Sequence, residues 1–206
     1  PTTICPDEVV LQDAPGWLTL LTSMFMHGGI MHLLGNLWFL WIFGNNIEDA
    51  LGRTKFVIFY VITGLAAHAA HIMTNAESVI PCVGASGAIS GILGGYLLLY
   101  PKARVLTLVP LGAFSRVMHV PAVAFLLIWF GLQLVNGLGS GGGGVAWWAH
   151  IGGFVAGLGL IKILESAEHR ARKSGGSDVV AEDHYWRRST NPRQRNAGEF
   201  DQWGRG

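Results

Sequence analysis

Five apolar runs separated by polar or glycine-rich connections set the pattern of the chain. The first, residues 28 to 46, is interrupted only by His32 and Asn36. Asn45, Asn46, Glu48, Asp49, Gly52 and Arg53 then make a short polar connection, and Lys55 opens a second run from Phe56 to Met73. Residues 74 to 81 lead into the third run, Gly84 to Tyr100. At ~1.5 Å per residue it reaches about 26 Å, at the short end for a hydrocarbon core of ~30 Å. Residues 101 to 116 are expected to form a polar linker, Val117 to Asn136 a fourth run and Gly137 to Gly144 a glycine-rich loop. Trp147 and Trp148 mark an interface and open a fifth run that ends near Leu164. Runs of this length predict spanning helices, so the expected fold is an all-α polytopic helical bundle with five visible transmembrane helices. Residues 1–27 are expected to be an extracytoplasmic surface loop that dips toward the interface at Trp17 and Phe25. Residues 28–164 form the transmembrane domain, and residues 165–206, polar and without period, a disordered cytoplasmic tail.

Composition points the same way. Half of the residues are hydrophobic and only 13% are charged, which makes lipid the natural solvent. Twenty-nine glycines in so apolar a chain suggest helices packed backbone to backbone rather than disorder. A net charge of +1 excludes a nucleic-acid partner, because phosphate neutralisation needs Lys and Arg clustered on a folded face. The chain opens on Pro1 and an acidic stretch (Asp7, Glu8, Asp13) with no secretory signal, and the lack of an initiator Met leads us to expect a preceding segment.

Positive charge predicts orientation. With five spans, residues 1 to 27, 74 to 83 and 137 to 145 share one side, and none of them contains Lys or Arg. Arg53, Lys55, Lys102, Arg104, Arg116, Lys162 and the tail supply all fourteen cations on the other side. By the positive-inside rule the start of the chain faces outward and the tail is cytoplasmic, in a multi-pass protein expected in a bacterial cell membrane.

That orientation brings His27, His32, His68, His71, Ser86 and His150 to one level near the outer face. Polar groups at membrane depth are costly and line bundle interiors or water cavities, so this convergence is the main functional signal. Ser86 lies in Gly84-Ala85-Ser86-Gly87 and needs a base before it can act as a nucleophile. His150 is the best candidate. Gly153 and Gly157 follow it on one face of its helix, and Gly87, Gly91 and Gly95 make a matching face after the serine, so the two helices can approach closely. No carboxylate lies at a plausible depth, which makes the expected pair a dyad. His32 and Asn36, four apart on one helix face, are candidate oxyanion donors together with backbone amides at the helix start.

Met26-His27-Gly28-Gly29-Ile30-Met31-His32-Leu33-Leu34-Gly35-Asn36, Gly84-Ala85-Ser86-Gly87, and Ala149-His150-Ile151-Gly152-Gly153 with Gly157 together resemble the rhomboid family of intramembrane serine proteases, over roughly residues 15 to 165. The resemblance implies Ser86 as nucleophile, His150 as base, and His32 with Asn36 as oxyanion side chains. It also implies cleavage of other proteins' transmembrane helices near their outer end, with no cofactor and no metal. Six spans or more are common in the family, so the first helix of a six-helix core is expected to be missing from this sequence. Leu18-Thr19 stands where relatives often carry Trp-Arg, which removes any pairing of that arginine with Glu48. Ser90 stands where many carry an aromatic stacked on the histidine.

Other readings compete with this one. Ser86 alone could be a packing serine. His68 and His71, three apart, could bind metal or form a satisfied interfacial pair, and a metal or haem membrane protein is the less favoured alternative. A catalytically silent rhomboid-like protein that binds membrane clients is another, although such proteins usually lack the serine or the histidine. Cys5 and Cys82 both fall outside, where a disulfide is permitted. Small residues around Ser86 suggest a small side chain before the scissile bond, while the partner protein itself is unreadable.

Overall fold

The structure is a computed structural model, and it describes residues 16–76, 82–111, 114–139 and 145–174. The expected loop up to residue 15 with Cys5, most of the glycine-rich loop and the tail from residue 175 lie outside the described residues.

A short helix, α1 (Gly16–Ser23), precedes α2 (Ile30–Phe39). A π-helical turn at Leu40–Gly44 carries α2 into α3 (Asn45–Leu51) with helical backbone angles at both joins. The rod stops at Gly52, whose φ of 81° is open to glycine at little cost and whose N–H closes on Glu48 O at 2.7 Å. The chain then restarts as α4 (Arg53–Thr74). It continues through α5 (Ser86–Leu99), the strands β1 (Arg104–Leu111) and β2 (Phe114–Pro121), α6 (Ala122–Leu138), α7 (Trp147–Leu164) and α8 (Ala167–Ser174).

α5 is the centre of the bundle, with every residue from Gly87 to Tyr96 buried. α4 and α7 pack against it and against each other. Glycine explains the closeness. A Cβ at Gly153 would land on the Gly87 carbonyl, one at Gly157 on the Gly91 carbonyl and one at Gly94 on the Phe154 carbonyl. Below that seam Phe43, Ile47, Phe59, Leu93, Tyr96, Leu126, Phe154 and Ile161 fill a single apolar core.

The molecule is a helical, polytopic membrane fold. α4 and α7 are each long and apolar enough to cross a bilayer, whereas α5 and α6 are apolar but shorter.

Within the expected surface loop Gly16–Ser23 form a helix, and the expected polar connection from Asn45 is helical as far as Leu51. Two further stretches differ from expectation. Residues 101 to 116 are no linker: β1 and β2 form an antiparallel hairpin in which Arg104 faces Pro121 and Leu108 faces Val117. Val117 to Pro121 therefore belong to a strand rather than to the fourth span. β-branched residues recur along both strands, and Pro121 keeps Val120 extended and lets α6 begin only at Ala122. The second difference is α8, in a region expected to be disordered. Glu165 and His169, four apart, pair at 2.7 Å while buried, His169 lies 3.3 Å from the Tyr100 hydroxyl, and Ser166 N–H donates to Ala50 O. These bonds fasten the helix start to the bundle.

Candidate functional site

Ser86 is the first residue of α5, so its side chain stands at the end of the helix, where backbone N–H groups have no intrahelical acceptor. The turn leading to it depends on Gly84. Its φ of 116° disfavours any side chain, and a Cβ there would come within 2.8 Å of the His32 ring and 3.6 Å of Asn36 Nδ2. Both side chains of α2 thus face the turn immediately before Ser86. Asn36 is buried, and its Nδ2 has no hydrogen-bond partner. His27 lies edge-on to His32 with ring centres 5.2 Å apart.

His150 sits in the first turn of α7, and its Nε2 is 2.8 Å from Ser86 Oγ. Its Nδ1 is 2.8 Å from Gln133 Oε1 on α6. An amide oxygen only accepts, so Nδ1 carries the proton and Nε2 is left bare to accept from the serine hydroxyl. The other end of the amide is also held, since Gln133 Nε2 donates to Trp129 O at 3.3 Å.

Trp129 and Trp147 flank the imidazole, with ring centres 5.9 and 6.3 Å away. Ser90 itself is buried and donates to Ser86 O at 2.6 Å, within the helix.

His68 and His71 stand near the same end of the bundle but apart from this cluster. His68 Nδ1–H donates to Gly64 O at 2.9 Å, and its Nε2 accepts from Ser23 Oγ at 3.0 Å, in a buried pair. Ser23 O in turn accepts the Gly84 N–H at 2.9 Å, which ties the end of α1 to the turn ahead of Ser86. Among the described residues no group of His, Cys, Asp or Glu is placed to hold a metal ion. Glu48 faces Arg53 at 3.7 Å.

All four sequence-designated residues, Ser86, His150, His32 and Asn36, therefore meet around one turn. Sequence reasoning missed Gln133, the Ser23–His68 pair and the two tryptophans. Gln133 carried a readable signal, because an amide inside the apolar run of α6 is as costly there as Asn36 is in α2.

Comparison with known proteins identifies the chain's family. The Rhomboid domain family matches residues 14–166. The chain is similar to Rhomboid protease GluP of Bacillus subtilis, 31% identical over 142 residues, which are 69% of this chain and 25% of that protein. It is 29% identical over 160 residues to Rhomboid-like protein 11, chloroplastic, of Arabidopsis thaliana, covering 73% of this chain and 53% of the relative. Rhomboid protein 1, mitochondrial, of Saccharomyces cerevisiae is 28% identical over 168 residues, covering 77% and 46%. The match thus spans between a quarter and about half of these relatives' length.

Proposed function

From the premise that the chain belongs to the rhomboid family, an integral-membrane family, we propose that it is a serine endopeptidase that cleaves transmembrane segments of other proteins with Ser86 as nucleophile and His150 as base. The observation that carries this reading is the 2.8 Å approach of His150 Nε2 to Ser86 Oγ. It occurs in a protein whose Asn36 amide is buried, unpartnered and directed at the same turn.

In the reaction the Ser86 hydroxyl attacks the scissile carbonyl while His150 Nε2 takes its proton. Charge developing on the carbonyl oxygen is met by Asn36 Nδ2, by His32 and by the free amides at the start of α5. As the tetrahedral intermediate collapses, the C–N bond breaks and His150 returns the proton to the leaving amine. Water then attacks the acyl-serine, with His150 again accepting a proton and passing it back to Ser86. Throughout, Gln133 Oε1 keeps the Nδ1 proton in place. The backbone around Ser86 offers only Gly84, Ala85 and Gly87, which favours a small side chain beside the cleaved bond. In this reading the serine end of the bundle faces outward and the end bearing Arg53, Lys55 and Lys162 faces the cytoplasm.

The test uses purified protein in proteoliposomes with a single-span substrate. Ser86→Ala and His150→Ala are each expected to lower turnover by about 10³-fold or more. A fluorophosphonate should label the parent and spare Ser86→Ala. Variants that cleave as fast as the parent would overturn the assignment. A parent that neither cleaves nor takes the probe would leave a client-binding protein as the better description.

A further inference from the structure

The hairpin of β1 and β2 lies outside the chemistry just described, and its two faces differ. Side chains alternate along a strand, so Val105 and Leu106 point to opposite faces. Val105 is buried in the core of the bundle. On the other face Leu106 follows Arg104, with Leu108 next, and the register sets Val117 opposite Leu108 and His119 opposite Leu106. Leu106, Leu108 and Val117 are 56%, 63% and 63% exposed. A ribbon packed on a core by one face ordinarily presents polar residues on the other, whereas this one presents a contiguous branched apolar patch.

Charge and position indicate what covers it. Lys102, Arg104 and Arg116 are all exposed, and residues 101 to 121 contain no Asp or Glu. Arg104 is on the face of Leu106, while Arg116, opposite Val109 in the register, is near the tip on the other face. The hairpin follows the end of α5 remote from Ser86, the end shared with Arg53 and Lys55 at the start of α4 and Lys162 at the end of α7. α5 has 14 residues, about 21 Å against a hydrocarbon core of ~30 Å, so the chain leaves this helix close to the boundary between acyl chains and headgroups. A second copy joined face to face through this ribbon would set the same cations against one another with no acid to meet them. Anionic lipid meets both the apolar and the cationic groups.

We propose that the hairpin is a lipid-binding arm. Leu106, Leu108 and Val117 enter the acyl layer of the leaflet at the basic end of the bundle, and Lys102, Arg104 and Arg116 bind the phosphates of anionic headgroups. The arm acts whether or not Ser86 reacts.

A nitroxide attached after Leu108→Cys, in the full chain with Cys5→Ser and Cys82→Ser, tests this in vesicles of phosphatidylcholine with or without phosphatidylglycerol. Oxygen, which partitions into lipid, is expected to relax the label more than an aqueous nickel chelate does. Changing Arg104→Gln and Arg116→Gln together should lower that ratio in the anionic vesicles and leave it unchanged in the neutral ones. Label attached after Ile163→Cys, exposed on α7, serves as the reference for a folded, inserted chain. Label after Val117→Cys must agree with the one at 108. Greater relaxation by the nickel chelate in both kinds of vesicle overturns the proposal. So does a label shielded from both reagents and broadened by a second nitroxide, which would assign the face to another copy of the chain.

Discussion

A histidine that receives a proton on Nε2 must already hold one on Nδ1, and His150 donates it to Gln133 Oε1. In the proposed mechanism the third position is thus an amide on α6, which fixes tautomer and ring direction without adding charge to a buried site. Gln133→Leu should leave the melting temperature and KM close to those of the parent and lower kcat about 10- to 100-fold, part of what general-base catalysis supplies. Gln133→Glu, which still accepts from Nδ1, should restore most of the loss. A shared loss of kcat in both variants, or a parallel loss of stability, would make Gln133 a packing residue only. Residue identity carried much of the site: Ser86, His150, His32 and Asn36 stand out because each is polar at a depth where polarity is costly. Gln133 met the same criterion but belongs to a run whose depth was misjudged, since Val117 to Pro121 proved to be strand. Trp129 and Trp147 were unreadable as neighbours of the imidazole, because an aromatic in a membrane helix has many other uses.

At the level of elements, the glycine spacing on α5 and α7 is the feature the pattern conveyed best. Small residues every four positions make a face, and Gly153 and Gly157 of α7 do rest on the Gly87 and Gly91 carbonyls. A Cβ at Gly87 or Gly91, however, would first meet Ala67 or Thr63 of α4, and the α5 glycine whose Cβ would land on α7 backbone is Gly94. Gly157→Val should force the helices apart around the Gly91 carbonyl, at a cost of about 1–3 kcal/mol as for other overpacked interiors. Thermal melting in detergent and peptide cleavage should fall together, whereas Gly159→Val, with open space around its position, should change neither. Hydropathy was a poorer guide to the hairpin and to α8. A two-stranded ribbon with apolar residues exposed on its outer face has no clean alternation for the eye to find. α8 is held by Glu165, His169 and Tyr100, whose pairing depends on tertiary contact and leaves no trace in periodicity. The π-helical turn at Leu40–Gly44 was equally invisible, being a local change of backbone within one apolar run.

For the whole molecule, the two ends of the bundle have opposite character. His27, His32, His68, His71, His150, Ser86 and the unpartnered Asn36 amide gather at one end, while Arg53, Lys55, Lys162 and the cations around the hairpin gather at the other. Fused after Gly206 in a bacterial host, a fluorescent protein should glow and alkaline phosphatase should stay inactive. A cysteine placed by Asn75→Cys should react with an impermeant maleimide from outside the cell. The reverse pattern would invert the orientation without touching the chemistry. The glycine seam bears on this larger scale as well. Where main chain rests on main chain no rotamer intervenes, so the distance from alcohol to imidazole is gauged by peptide units, the stiffest parts the molecule has. Lipids can thin, swell or change their tails around such a ruler, and Ser86 and His150 will keep their spacing.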